Sequence, residues 1–233
     1  MESHKDWMRA IEKTWIVRFP KQHLATFGAT NVAYYVVTEP IYQEFNSGRQ
    51  EGVVRTGRVI AEQPAVVTPY YAMNLEGFSS EAYEYLNFMS QTFGPNSPGV
   101  LYQYRNQADN TEIVTGYPDE IASRIGDDLD SHKDDLAVVM VGVDEYWDVA
   151  LLKFIYQFTS SSAGQNVREL KSQGLLEPNP VYGGVPRAAT KEVERMFREA
   201  EGGSGNPDLL KLELDRWGLF SYYQDRFLSL FRR

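Results

Sequence analysis

Three acidic residues, Asp144, Glu145 and Asp148, follow an unbroken apolar run at residues 136–143. Ligands of open α/β sheets bind beyond the carboxyl ends of strands, so carboxylates at this place suit acid–base work or a divalent cation in a hydrolase or transferase. The same residues equally suit a helix start, with Asp144 as cap and Glu145 and Asp148 complementing the helix dipole.

Residues 127–135 are dense enough in carboxylates to compare with a calcium loop, which requires glycine at its sixth position and glutamate at its twelfth. Counted from Asp128 these positions are Lys133 and Val139, so that motif is absent and a looser metal site on Asp128 and Asp130 is what remains. Arg55 and Arg58, with Arg49 and nearby tyrosines, are candidates for a small groove that takes an anionic ligand; the plainer expectation is a solvated strand face. His4, His23 and His132 lie far apart, without the His-x-x-x-His spacing of a zinc site. Residues 202–206 miss the Gly-x-Ser-x-Gly elbow at its last position, and neither a phosphate loop nor a dinucleotide fingerprint occurs. No cofactor is identified.

The acidic charge is concentrated. The chain has 23 Lys and Arg against 32 Asp and Glu, a net charge of −9. Residues 112–148 contain eleven acids and two bases, so this segment carries the whole imbalance and the remainder is neutral. That balance argues against nucleic acid held by general phosphate neutralisation. It offers a basic partner or a cation a complementary face, although like-charge blocks are commonly plain solvated surface. With no cysteine, disulfides, thiolate zinc sites and a cysteine nucleophile are excluded. No run of about 18 apolar residues predicts a membrane span, and the polar start Met1–Asp6 lacks the regions of a signal peptide, which places the chain in the cytoplasm.

Several elements must position these groups. Strands are expected at 14–19, 24–37, 52–63 and 65–68, with a turn at Asn46-Ser47-Gly48. Ser79-Ser80 opens a helix that buries Ala82, Leu86 and Met89 or Phe93. Residues 100–104 and 113–115 read as a hairpin turning at Ala108-Asp109-Asn110. Pro118 opens a helix with Ile121, Ile125 and Leu129 on one face. Residues 136–143 read as a strand covered on both sides. The next helix, 146–158, buries Val149, Leu152 and Tyr156 and ends at the polar stretch 159–164; Asn166 caps a shorter one. Residues 178–187 read as a long loop and 202–206 as a flexible linker. Residues 207–233 form an aromatic helix kinked at Gly218.

With 42% hydrophobic and 24% charged residues, the composition is that of an ordinary folded chain. The expected fold is α+β, a mixed sheet with flanking helices over 1–176, and a loop plus C-terminal helices over 177–233 packed on the same domain. The expected function is that of a cytoplasmic binding or regulatory protein acting through a protein partner or by self-association. Its contact would be the C-terminal aromatics Trp217, Phe220, Tyr223 and Phe227, or the acidic face. The alternative is the carboxylate enzyme at Asp144, Glu145 and Asp148, with or without a divalent metal.

Overall fold

A computed structural model of the chain describes residues 3–42, 50–75 and 79–231. The turn expected at Asn46-Ser47-Gly48, and Arg49, lie outside them. The fold is α+β, as expected. It divides into two compact units, Met1–Gln63 with Tyr102–Asn166 and Pro64–Leu101 with Val167–Arg233.

The first unit is built on a five-stranded sheet of β1 (Trp15–Arg18), β2 (Thr30–Glu39), β3 (Glu51–Ala61), β6 (Tyr104–Thr115) and β7 (Ala137–Val143). The strand order is β1-β7-β2-β3-β6. β2 and β7 are parallel, and the other neighbours antiparallel. In β7, Val138 and Met140 join the core formed with Ala150, Leu151, Phe154 and Phe158 of α5 (Trp147–Ser172). Ala137, Val139 and Val141 join the core formed with Ile121, Ala122 and Leu129 of α4 (Pro118–Ser131). Both faces of β7 are covered, which is why its sequence is apolar without alternation. A short helix, α1 (Ser3–Glu12), precedes β1.

Two expectations fail here for the same reason: polar residues that end elements in isolation have partners in this fold. The hairpin at 100–115 does not form. β6 runs unbroken against β3, from Tyr104 opposite Ala61 to Thr115 opposite Glu51. The register shifts between the pairs Arg55–Thr111 and Gly57–Ala108, so Asp109 and Asn110 stand in a β-bulge instead of a turn. Likewise α5 continues through 159–164. The Thr159, Ser160 and Ser161 hydroxyls donate to the carbonyls of Ile155, Tyr156 and Phe158. Ser162 accepts from the Leu24 amide at 3.1 Å. Asn166, expected as a cap, is fully buried within the helix. It donates to the Leu24 carbonyl and the Thr26 hydroxyl, each at 2.8 Å, and accepts from the Tyr102 hydroxyl at 2.9 Å. The buried face of α5 is also not the expected one, since Leu152 and Tyr156 are exposed.

The second unit comprises β4 (Ala65–Val67) paired with β5 (Gly99–Leu101), α2 (Pro69–Met73), α3 (Ser80–Phe93), the pair β8 (Pro178–Asn179) and β9 (Val185–Pro186), and helices α6 (Arg187–Glu201), α7 (Pro207–Arg216) and α8 (Phe220–Ser229). The expected 178–187 loop is thus a tight hairpin, its return made at Gly183 and Gly184 with φ of 69° and 80°. The expected linker at 202–206 is a closed turn. The amides of Ser204 and Gly205 both donate to the Glu199 carbonyl, and Asn206 caps α7 by accepting from the amides of Asp208 and Leu209. A side chain at Gly205 would lie 2.5 Å from the Ala200 nitrogen, so the backbone segments are in direct contact. Gly218, at φ 66°, ends one helix before the next begins, which is a break and not a kink.

Candidate protein-binding face

At the carboxyl end of the parallel pair β2 and β7, the fold joins one residue expected to be catalytic with one expected to bind a ligand. Arg55 Nη1 lies 2.7 Å from Asp144 Oδ1. Thr38, fully buried, donates its hydroxyl to Asp144 Oδ1 at 2.6 Å and accepts from Arg55 Nη1 at 2.9 Å. The guanidinium sits 5.7 Å from the centre of the Trp147 ring. The Arg55 and Asp144 side chains are only 19% and 14% exposed. Each charge is therefore occupied by the other, and the triangle ties β2, β3 and the start of the turn after β7 together. Glu145 and Asp148 stand on the exposed surface beside it.

The other expected sites are taken apart by the fold. Arg58 occupies an even position of β3, as does Val54 of the α4-side core, so it faces away from Arg55, and the two do not form one groove. Asp130 Oδ1 receives Arg18 Nε and Lys21 Nζ, both at 2.8 Å. The hydrogen bonds from Lys21 and Arg18 hold its carboxyl below the usual carboxylate range. Asp128, two residues away on a helix and so on another side, lies 3.5 Å from His132 Nδ1. The pair offered as metal ligands is split, and among the described residues no group of three histidines or carboxylates is placed to hold a metal ion.

The C-terminal aromatics are core. Trp217, Tyr223 and Phe227 are 3%, 5% and 8% exposed, and Phe220 is half-buried against the same cluster. Trp217 packs 4.5 Å from Tyr71, ring centre to ring centre, and donates from Nε1 to Glu213 at 2.8 Å. Tyr223 stacks between Tyr182 and Phe197, each at 5.3 Å. Helical spacing marks a face that must be buried, and Val193 and Phe197 of α6 bury it within the unit.

The exposed aromatic surface lies on α3 instead. This helix is started by Ser79, whose hydroxyl accepts from the Ala82 amide at 3.3 Å, and is ended by Gly94 at φ 97°. Packing on α2 and a hydrogen bond from the Tyr83 hydroxyl to the Leu75 carbonyl, 2.8 Å, hold it in place. Tyr85, Phe88 and Phe93 are 61%, 60% and 62% exposed. Of the two residues offered for the end of the buried stripe, Met89 belongs to it and Phe93 lies outside, and Ala82, Leu86 and Met89 are half-buried. From Tyr85 through Phe93 the helix has no charged residue. The signal was present in the sequence as an excess: seven apolar or aromatic residues on fourteen positions exceed what one packed stripe covers. No helix among the described residues is long and apolar enough to cross a membrane. Comparison with protein-family models, with curated proteins and with solved structures finds no match.

Proposed function

We propose that this chain is a binding protein that works by protein–protein contact at the outer face of α3, and that the partner fitting this face is a second copy of the chain. The observation that carries the reading is the set of three rings, each about three-fifths exposed, on a helical segment without charge. Three aromatic side chains of roughly 200 Å² each leave about 350 Å² of ring surface in water, the size at which an exposed patch usually has a role.

Charge selects the occupant. A partner bringing charged groups to this face would have to desolvate them with nothing to pair against. Two chains of net charge −9 repel at long range, and the uncharged segment 85–93 is where they approach at least cost. A surface that meets itself about a two-fold axis must be self-complementary, which the uncharged aromatic segment 85–93, beyond Glu81 and Glu84 in the first turns of α3, satisfies. The tyrosine hydroxyl keeps a water-facing tip at the rim of such a contact. The carboxylate enzyme has no comparable support, because Asp144 is engaged by Arg55 and Thr38.

Sedimentation velocity over a concentration series tests the reading. The wild-type chain is expected to pass from monomer to dimer in the range of about 1–100 µM, more readily as salt screens the repulsion. Phe88→Glu, at an exposed position, is expected to keep its circular dichroism and remain monomeric. A wild-type chain that stays monomeric throughout, or a Phe88→Glu chain that dimerises as the wild type does, overturns it.

A further inference from the structure

A depression of about 490 Å³ lies in the second unit, along one face of α6. Arg187, Lys191, Glu194 and Arg198 line it at intervals of three and four residues, with Tyr182 and Tyr223 also in its wall. The volume falls in the range of small-molecule sites. Its charges do not cancel. Glu194 is bound by Arg226 at 2.7 Å, and Arg187 is shared with Glu177 at 3.1 Å. Lys191 and Arg198 form no ion pair with a described residue.

A separate feature points to a ligand. Tyr223 is 5% exposed, and its hydroxyl is buried with no partner in hydrogen-bonding geometry. Buried polar groups are ordinarily satisfied, so an orphan in the wall of a cationic depression stands where an acceptor is missing. Burial chiefly pushes its phenol well up, and the Tyr182 hydroxyl and Glu194 carboxylate nearby act in the same direction without reaching it in hydrogen-bonding geometry, so it remains an O–H donor throughout the physiological range.

We propose that this depression binds a phosphate-bearing small molecule, with Lys191 and Arg198 countering its charge and Tyr223 donating to a phosphate oxygen. A phosphate carries close to two negative charges at neutral pH, which matches the two uncompensated cations, and its oxygens accept from several directions at once. Lys191 and Arg198 are two helical turns apart, about 10 Å along the axis, so a diphosphate spans them better than a single phosphate.

Isothermal titration with pyrophosphate, inorganic phosphate and a dicarboxylate at low ionic strength is the test. Pyrophosphate is expected to bind one to one and most tightly, and Lys191→Gln or Arg198→Gln to weaken it about tenfold each. Tyr223→Phe is expected to weaken it about tenfold as well, while leaving the thermal midpoint unchanged or higher, because the lost hydroxyl has no partner in the free protein. The proposal is overturned if pyrophosphate shows no one-to-one binding, if the dicarboxylate binds as tightly, or if Tyr223→Phe binds like the wild type. It is equally overturned if Lys171→Gln, outside the depression, weakens binding as much as Lys191→Gln.

Discussion

Replacing Arg55 by methionine keeps the length of the side chain and removes its charge, which strands Asp144 in a site where its carboxylate is only 14% exposed. Thr38 would remain as a donor to that carboxylate, but its own oxygen would lose the guanidinium it accepts from. Removing one partner of a buried ion pair costs about 3–5 kcal/mol, and the lower end applies here because some of each side chain still reaches water. With a urea slope of roughly 2 kcal/mol per molar, the unfolding midpoint of the first unit should fall by about 1.5 M. Arg55→Met with Asp144→Leu removes both charges, and should recover most of the loss, to within about 1–2 kcal/mol of the wild type, the remainder reflecting the orphaned Thr38 hydroxyl. Urea titrations followed by circular dichroism and by tryptophan fluorescence, Trp147 lying against the guanidinium, give the four corners of the cycle. A coupling energy of about 4–5 kcal/mol is expected between the two positions, each single loss being about 3 kcal/mol and the double about 1–2 kcal/mol. Additive effects, or an Arg55→Met chain as stable as the wild type, would refute the assignment of Asp144 to structure and return it to the list of groups available for chemistry.

Two further outcomes follow from the packing. Asp130 titrates below its ordinary value because Lys21 and Arg18 hydrogen-bond its charged form, so its contribution is fully present above pH about 4 and is lost as pH falls through the folded value. Thermal melts of Asp130→Asn should therefore fall below the wild type at pH 7 and converge with it in strong acid; a gap that persists there would exclude the ionic origin. Gly205→Ala places a carbon 2.5 Å from the Ala200 nitrogen, and should cost about 1–3 kcal/mol, whereas a flexible linker would accept alanine without loss in a denaturant melt.

The parts of the fold legible in the sequence are those where one local pattern decides the outcome. The unalternating run at 137–143 could only be a strand covered on both sides, and the spacing of Ile121 and Leu129 after Pro118 required a helix with one buried face. What was not legible depended on distant partners. Asn166 interrupts a helix in isolation, yet is satisfied inside one by Leu24 and Thr26, some 140 residues earlier. Asp109 and Asn110 have turn chemistry, but the pairing of β3 with β6 absorbs them as a bulge. The site suffered in the same way. Arg55 and Asp144 were singled out for separate tasks, and nothing local says that Thr38 brings them together. The C-terminal aromatics were offered as a partner contact and are core, while Tyr85 and Phe88 on the uncovered face of α3 were given no task.

The absence of cysteine allows the central claim to be tested at a single atom. Thr92→Cys places the only thiol of the chain on the exposed face between Phe88 and Phe93, and Leu152→Cys places it at an exposed apolar position of the first unit. If two copies meet through α3, mild oxidation in dilute solution should give a disulfide-linked dimer at least about tenfold faster for Thr92→Cys, through the effective concentration that a formed contact provides. Equal rates for the two variants would contradict the assignment of this face as the contact.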